Sequence, residues 1–301
     1  MKQIRIYSLL LLALLLVSSC IKDNLDDCGM DVELYFEYHD FPERIHKVNV
    51  GIMNENGRLL RVKQVGKSSL LDFQGIRTRL NPGRYTAVCW GNAFAETRIR
   101  GLFYDASCYN MCLDHPNCDT DQPICTNDSL FYGKRSFTVP KYEKYAVYRD
   151  TVLYQPAHIT FEFYVFGLES TALGKPSSGY PYISINNLKS EYNYEMKTQG
   201  DSIAYLPNMY VSSKNKMASA RSHVLRFTND NPIKIVVNES VPTHQDIPYT
   251  LNLKDFLKNH LVIEEKEEYV IRIGFYFSSS GTKVRLLGWE GVGVEDPFLD
   301  N

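Results

Sequence analysis

Apolar and charged residues alternate over residues 31–38, which places Val32, Leu34, Phe36 and Tyr38 on one side of an extended chain. Residues 46–53 repeat the alternation with Val48, Val50 and Ile52. Next come Asn54-Glu55-Asn56-Gly57 and a mixed run over 58–65; Asn-Gly readily supplies positive φ angles, so the pair of runs predicts a β-hairpin. Asn81-Pro82-Gly83 predicts another turn, feeding a strand over 84–90. The periodicity then stops. Residues 91–127 hold four cysteines, several Asp and Asn and no regular pattern, which predicts a long loop or insertion (about 91–129) with at most one short helix. Leu130-Phe131-Tyr132-Gly133 restores order ahead of strands near 135–139 and 146–153.

Gln155-Pro156 marks a boundary. The run HITFEFYVF over 158–166 is strongly β-prone and opens a second series, with strands expected at 182–185, 224–228, 233–237, 269–277 and 283–289. Residues 212–222 read as polar and turn-rich, and 255–260 as a short helix. With no sustained 3.6-residue period, the pattern predicts an all-β protein with a β-sandwich in each half, over 30–155 and 156–301. Tyrosine, at 21 residues, strengthens that reading because aromatic side chains suit pleated, half-buried surfaces.

The N-terminus reads differently. A basic Met1-Lys2-Gln3-Ile4-Arg5 precedes an apolar stretch over 6–17, too short to span a bilayer and ordered as a secretory signal over 1–19. Val17-Ser18-Ser19-Cys20 resembles the lipobox of bacterial lipoproteins, which predicts cleavage between Ser19 and Cys20 and a membrane anchor of lipid on Cys20. The polar, mostly acidic residues 20–29 predict a flexible tether, and their acidity resembles surface-export signals of Bacteroidales lipoproteins.

A net charge of −2 offers no basic stripe for nucleic acid. Of seven cysteines, Cys20 is assigned to lipid; in an oxidising compartment Cys28, Cys108, Cys112, Cys118 and Cys125 are candidates for disulfides, with at least one bridge expected inside 108–125 and the connectivity open. Cys89, between Val88 and Trp90, reads as a small buried side chain. Zinc on these cysteines with His115 is disfavoured by spacings that lack C-x2-C, and a calcium loop from Asn117, Asp119, Asp121 and Asp128 fails where Gln122 replaces the required glycine. No catalytic constellation or cofactor motif stands out, so a binding or structural role is expected rather than an enzyme, and neither metal nor cofactor. Asp128-Ser129-Leu130, Asp150-Thr151-Val152 and Asp201-Ser202-Ile203 match a bacterial O-glycosylation pattern.

The segment Leu80-Asn81-Pro82-Gly83-Arg84-Tyr85-Thr86-Ala87-Val88-Cys89-Trp90-Gly91-Asn92 resembles the L-x-P-G-x-Y-x-x-x-x-W-G-N signature of the FimB-like fimbrial anchor lipoproteins of the Bacteroidales. The I-K-D-x-L-x-D-C run over 21–28, the F-x-Y at 36–38 and Leu130 to Gly133 agree in order. Pro82-Gly83 sets a turn, while Tyr85 and Trp90, five apart in a strand, point to opposite faces, so these are fold residues. The resemblance implies two tandem transthyretin-like sandwiches and a place at the base of a surface fimbria in the outer membrane. It also implies a stalk subunit as partner, joined by strand complementation, and a part in limiting filament length. Alternatives are a glycan-binding surface lipoprotein, suggested by exposed Tyr and Trp, and a lipoprotein hydrolase.

Overall fold

A computed structural model describes residues 29–141, 146–167, 182–212, 217–238, 249–258, 260–264, 266–278 and 281–288. The expected signal segment with Ser19, the lipid site Cys20, the tether with Cys28, and Trp289 lie outside the described residues.

The alternating runs form strands. In the first half these are β1 (Met30–Glu37), β2 (Lys47–Asn54), β3 (Leu59–Gly66), β4 (Gly75–Leu80), β5 (Gly83–Gly91), β6 (Arg98–Arg100), β7 (Cys112–Asp114), β8 (Phe131–Val139) and β9 (Val147–Pro156). Short helices α1 (Phe41–Arg44) and α2 (Lys67–Asp72) join them. The predicted hairpin is β2 to β3, with Gly57 at φ 74° in its turn. Seven strands make one hydrogen-bonded path, β3-β2-β5-β8-β9-β1-β4, in which β1 runs parallel to β9. The long β9 pairs with β8 at its end and with β1 at its start, so the path folds over itself. Val32, Leu34 and Phe36 thereby meet Val48, Val50 and Ile52 across one core.

One residue, Ala157, separates β9 from β10 (His158–Phe166). The second half continues with β11 (Tyr182–Asn193), β12 (Thr198–Tyr205), β13 (Met209–Ser212), β14 (Met217–Leu225), β15 (Lys234–Asn238) and β16 (Tyr249–Asn252). The short helix α3 (Leu253–Leu257), β17 (Val270–Ser278) and β18 (Gly281–Leu286) complete it. A five-stranded sheet, β13-β14-β10-β17-β18, covers a six-stranded one, β16-β15-β11-β7-β6 with β12 also paired to β11, around a core built on Phe161, Phe163, Ile183, Ile235 and Phe275. The protein is thus all-β and made of packed sheets, as the alternation predicts.

Two readings from sequence change. The segment read as a structureless insertion contains β6 and β7, and β7 pairs with β11 through Cys112↔Asn193 and Asp114↔Glu191, extending a sheet of the second half. Three-residue strands carry no visible period, and their partner is about 80 positions away in sequence, a separation at which local pattern has no voice. The stretch read as turn-rich, 212–222, holds most of β14. Its small residues hid it: Ala218, Ala220 and Ser222 sit directly opposite Val165, Phe163 and Phe161 of β10, and bulk on one strand is matched by its absence on the next.

Candidate functional site

The turn-and-tryptophan segment ties the first sandwich to the joint. The Tyr85 hydroxyl donates to the Asn81 carbonyl at 2.8 Å, pinning the Pro82-Gly83 turn to its own strand. Tyr85, Ala87 and Cys89 face the first core, and Val88 and Trp90 the opposite side. There the Trp90 ring lies 4.8 Å from Tyr132 and stacks at 5.7 Å on Tyr192 of β11. A side chain at Gly91 would press against Ile45 and Phe131, both 3.1 Å from its Cβ position. Burial pushes the Cys89 thiol up to about 12, so it stays an inert hydrophobe.

Trp90 belongs to a third core shared by both halves with Leu130, Ala157, Tyr192 and Leu225. The Tyr192 hydroxyl donates to the Ala157 carbonyl at 3.0 Å and accepts from the Arg226 amide. Arg226 donates to the carbonyls of Glu267, at 2.8 Å, and Glu264. Arg44 pairs with Glu268 across the joint, and Lys134 with Glu195 at 2.9 Å. Beside these, His158 and His223 meet edge to face at 5.0 Å, and burial lowers both to about 4. Asp114 of β7, buried, receives Arg98 through two hydrogen bonds of 3.0 and 2.7 Å and Arg100 at 2.9 Å; Arg100 goes on to Glu191 of β11 at 2.8 Å. Sequence reasoning singled out none of Asp114, Tyr192 or Arg226, because their roles lie in partners from other strands.

The expected bridge inside 108–125 is not formed: among the described residues every cysteine is free. Each of these cysteines is tied to a different part of the fold. The Cys108 amide donates to the Gly57 carbonyl in the β2–β3 turn, Cys112 lies in the β6–β7–β11 ladder, and the Cys118 and Cys125 thiols donate to the Ser190 carbonyl and Asn208 Oδ1, both at 3.6 Å. Burial raises Cys112 to about 11. Both nitrogens of His115 are engaged, Nδ1 accepting from the Asn117 amide and Nε2 facing Glu96, each at 3.0 Å. Asp119 pairs with Arg98 at 2.7 Å and Asp128 accepts from the Phe94 amide at 2.8 Å, so two carboxylates of the segment that only partly matches a calcium loop turn to protein partners. Among the described residues no three His, Cys, Asp or Glu side chains form a metal cluster. Of the three glycosylation patterns, Ser202 on β12 is exposed, whereas Ser129 and Thr151 are half-buried.

The sheet ends matter for assembly. β3 and β4 terminate the seven-stranded path and lie side by side, bridged by side chains: Arg61 Nη2 donates to the Arg79 carbonyl at 3.5 Å and Lys63 Nζ to the Arg77 carbonyl at 3.2 Å. Long cations thus stopper one open edge. The chain enters at this seam, where Arg79 Nε donates to the Gly29 carbonyl at 2.9 Å. The second sandwich ends at β13 and β18 in one sheet and at β16 and the three-residue β6 in the other, where β12 on β11 is a further edge. Among the described residues no helix is long and apolar enough to cross a membrane.

Packed β-sheets in each half, joined through a shared aromatic core and ending in open strand edges, define the architectural class of the protein as paired β-sandwiches. The chain belongs to the family of fimbrillin-A associated anchor proteins Mfa1 and Mfa2, whose model matches residues 25–294. No curated protein matches the sequence. Its fold is similar to that of the fimbrial anchor protein Mfa2 from Porphyromonas gingivalis, at 14% identity and TM-score 0.64 over 87% of this chain and 98% of that one. It is also similar to a candidate polysaccharide-binding protein from Bacteroides thetaiotaomicron (16%, TM-score 0.66, 87% and 97%) and a candidate adhesin from Bacteroides ovatus (16%, TM-score 0.64, 89% and 98%).

Proposed function

We propose that the chain is the anchor subunit of a surface fimbria, held in the outer membrane by lipid on Cys20 and joined to the adjoining stalk subunit by strand complementation. The observation that carries this reading is the family match over 25–294, which runs through both sandwiches. The placement of the chain entry supports it. β1 leads from Gly29 to Phe36, which packs on Phe41 and Tyr154 beside the joint, a run of about 25 Å at strand rise. The second sandwich is therefore carried at the end away from the tether. Its edges β13, β16 and β18 are candidates to receive an extended strand, main-chain hydrogen bonds giving affinity and alternate side-chain pockets giving register. A subunit fixed through its own N-terminus cannot also offer that end as a travelling donor strand, which suits it to terminate the filament and limit its length.

Cys20→Ala should release the protein from the membrane and shed fimbriae, read by cell fractionation and by electron microscopy of filament number and length. Filaments of normal length that remain attached in that variant overturn the anchor reading. Failure of the purified protein to bind its cognate stalk subunit under assembly conditions overturns the strand-complementation step.

A further inference from the structure

On the outer face of the five-stranded sheet, strand alternation and register assemble a group that the anchor reading leaves unused. Ile159, Phe161, Phe163 and Val165 of β10 point into the core, which turns Glu162 and Tyr164 outward. Tyr164 pairs with Ser219 of β14, and Ser219 with Tyr210 of β13, so a small residue lies between two tyrosines. One row along, Glu162 stands between Arg221 and Arg272. The gap over Ser219 is a cleft of about 370 Å³ lined by these six residues together with Phe163 and Ala220, within the size range of small-molecule sites.

The charges in it are unequal. Arg272 Nε donates to Glu162 at 2.8 Å and the Tyr164 hydroxyl donates to the same carboxylate at 3.2 Å, so Glu162 is already satisfied. Arg221 approaches Glu162 through Nε at 3.7 Å, longer than a hydrogen bond, and its side chain is 62% exposed. Among the described residues of the lining two cations therefore face one anion, and Arg221 presents a planar fork whose geometry matches a carboxylate. Tyr210, 69% exposed, places an aromatic ring at its rim.

We propose that this cleft binds an acidic saccharide, the pyranose C–H face resting on Tyr210 and the sugar carboxylate received by Arg221. A neutral sugar would engage the ring alone, and an acidic peptide the cation alone; a uronic or sialic acid engages both across the diagonal between Tyr210 and Arg221 on adjacent strands, roughly 7–8 Å. The site lies on a sheet face that reaches the edge strand β13, so it is compatible with a filament partner on β18 or β16.

The test is isothermal titration of the purified protein with tetragalacturonate, 3′-sialyllactose, maltotetraose and tetraglutamate. Binding of either acidic sugar, with maltotetraose and tetraglutamate inert, is expected. Both Tyr210→Ala and Arg221→Ala should weaken it by at least about tenfold, the scale of losing a charge-assisted hydrogen bond. Both side chains are on the surface, so their thermal midpoints should match the parent. Arg221→Lys, which keeps the charge and loses the fork, should weaken binding less than Arg221→Ala. Absence of binding to both acidic sugars, equal binding of the neutral sugar or the peptide, or unchanged affinity in either alanine variant overturns the proposal.

Discussion

Asn92 holds a left-handed backbone, φ 60°, directly after the tryptophan and glycine of the turn segment. Its side chain accepts from the His46 amide at 2.8 Å and donates to the carbonyls of Arg44 and Ser129 at 2.7 and 3.2 Å. One amide group thus joins the end of β5 to the chain leaving α1 and to the chain entering β8. Asparagine tolerates this conformation better than most residues and also supplies both donor and acceptor. Asn92→Ala should lower stability by about 2–4 kcal/mol through the lost hydrogen bonds and the backbone strain, read as the urea midpoint. Asn92→Gly should cost less, because glycine adopts positive φ freely. The residue types Pro82, Gly83, Tyr85, Trp90 and Gly91 could be read as a turn and two opposed core anchors from the sequence alone. The work of Asn92 could not, since its three partners lie 37 to 48 positions away.

β1 and β2 fall where alternation places them, and β5, β10 and β17 where turn chemistry and β-propensity do. β14 was not legible, because a strand facing Phe161 and Phe163 must be built from small residues, which lowers the apolar signal that pattern reading uses. The same complementarity makes it intolerant of bulk. Ala220→Leu, forced against Phe163, should destabilise by about 1–3 kcal/mol, whereas Ser219→Thr on the outer face of the same strand should be nearly neutral in thermal melts. β6 and β7 show a second limit. Their pairing is enforced by charge, with Asp114 holding Arg98 and Arg100 and Arg100 reaching Glu191, rather than by an apolar stripe.

Across the whole molecule, the joint between the sandwiches concentrates titratable groups that are ordinary in isolation. His158 donates through Nδ1 to the Leu130 carbonyl at 2.9 Å, and His223 Nδ1 bonds Thr160 Oγ1 at 2.9 Å. Burial holds both neutral, and Arg226, Arg44 and Arg221 add to the effect on His158; His223 is further lowered by His158 and Arg221 against the opposing pull of Glu268 and Glu162. An unfolded chain binds protons at these histidines near pH 6.5, while the folded chain resists until about 4. Their contribution is therefore complete above about pH 6.5, is lost as the pH falls toward 4, and levels off below. The loss should be on the order of several kcal/mol for the pair. A His158→Gln/His223→Gln double variant should flatten the decline of the unfolding midpoint between pH 6.5 and 4 relative to the parent.

Features encoded over a few neighbouring residues can be read along the chain: the all-β class from period-two alternation, the β2–β3 hairpin from Asn-Gly, the opposite faces of Tyr85 and Trp90, and the family signature around them. Tertiary structure alone decided which strands pair, that β7 serves a sheet of the other half, that the cysteines of the insertion stand apart on separate elements, and that Tyr192 and Arg226 seal the joint. The physical reason is the range of the forces involved. Turn chemistry and alternation act through the local backbone, whereas packing volume, ion pairing and burial are properties of residues that meet after the chain has folded, and no local pattern records their partners.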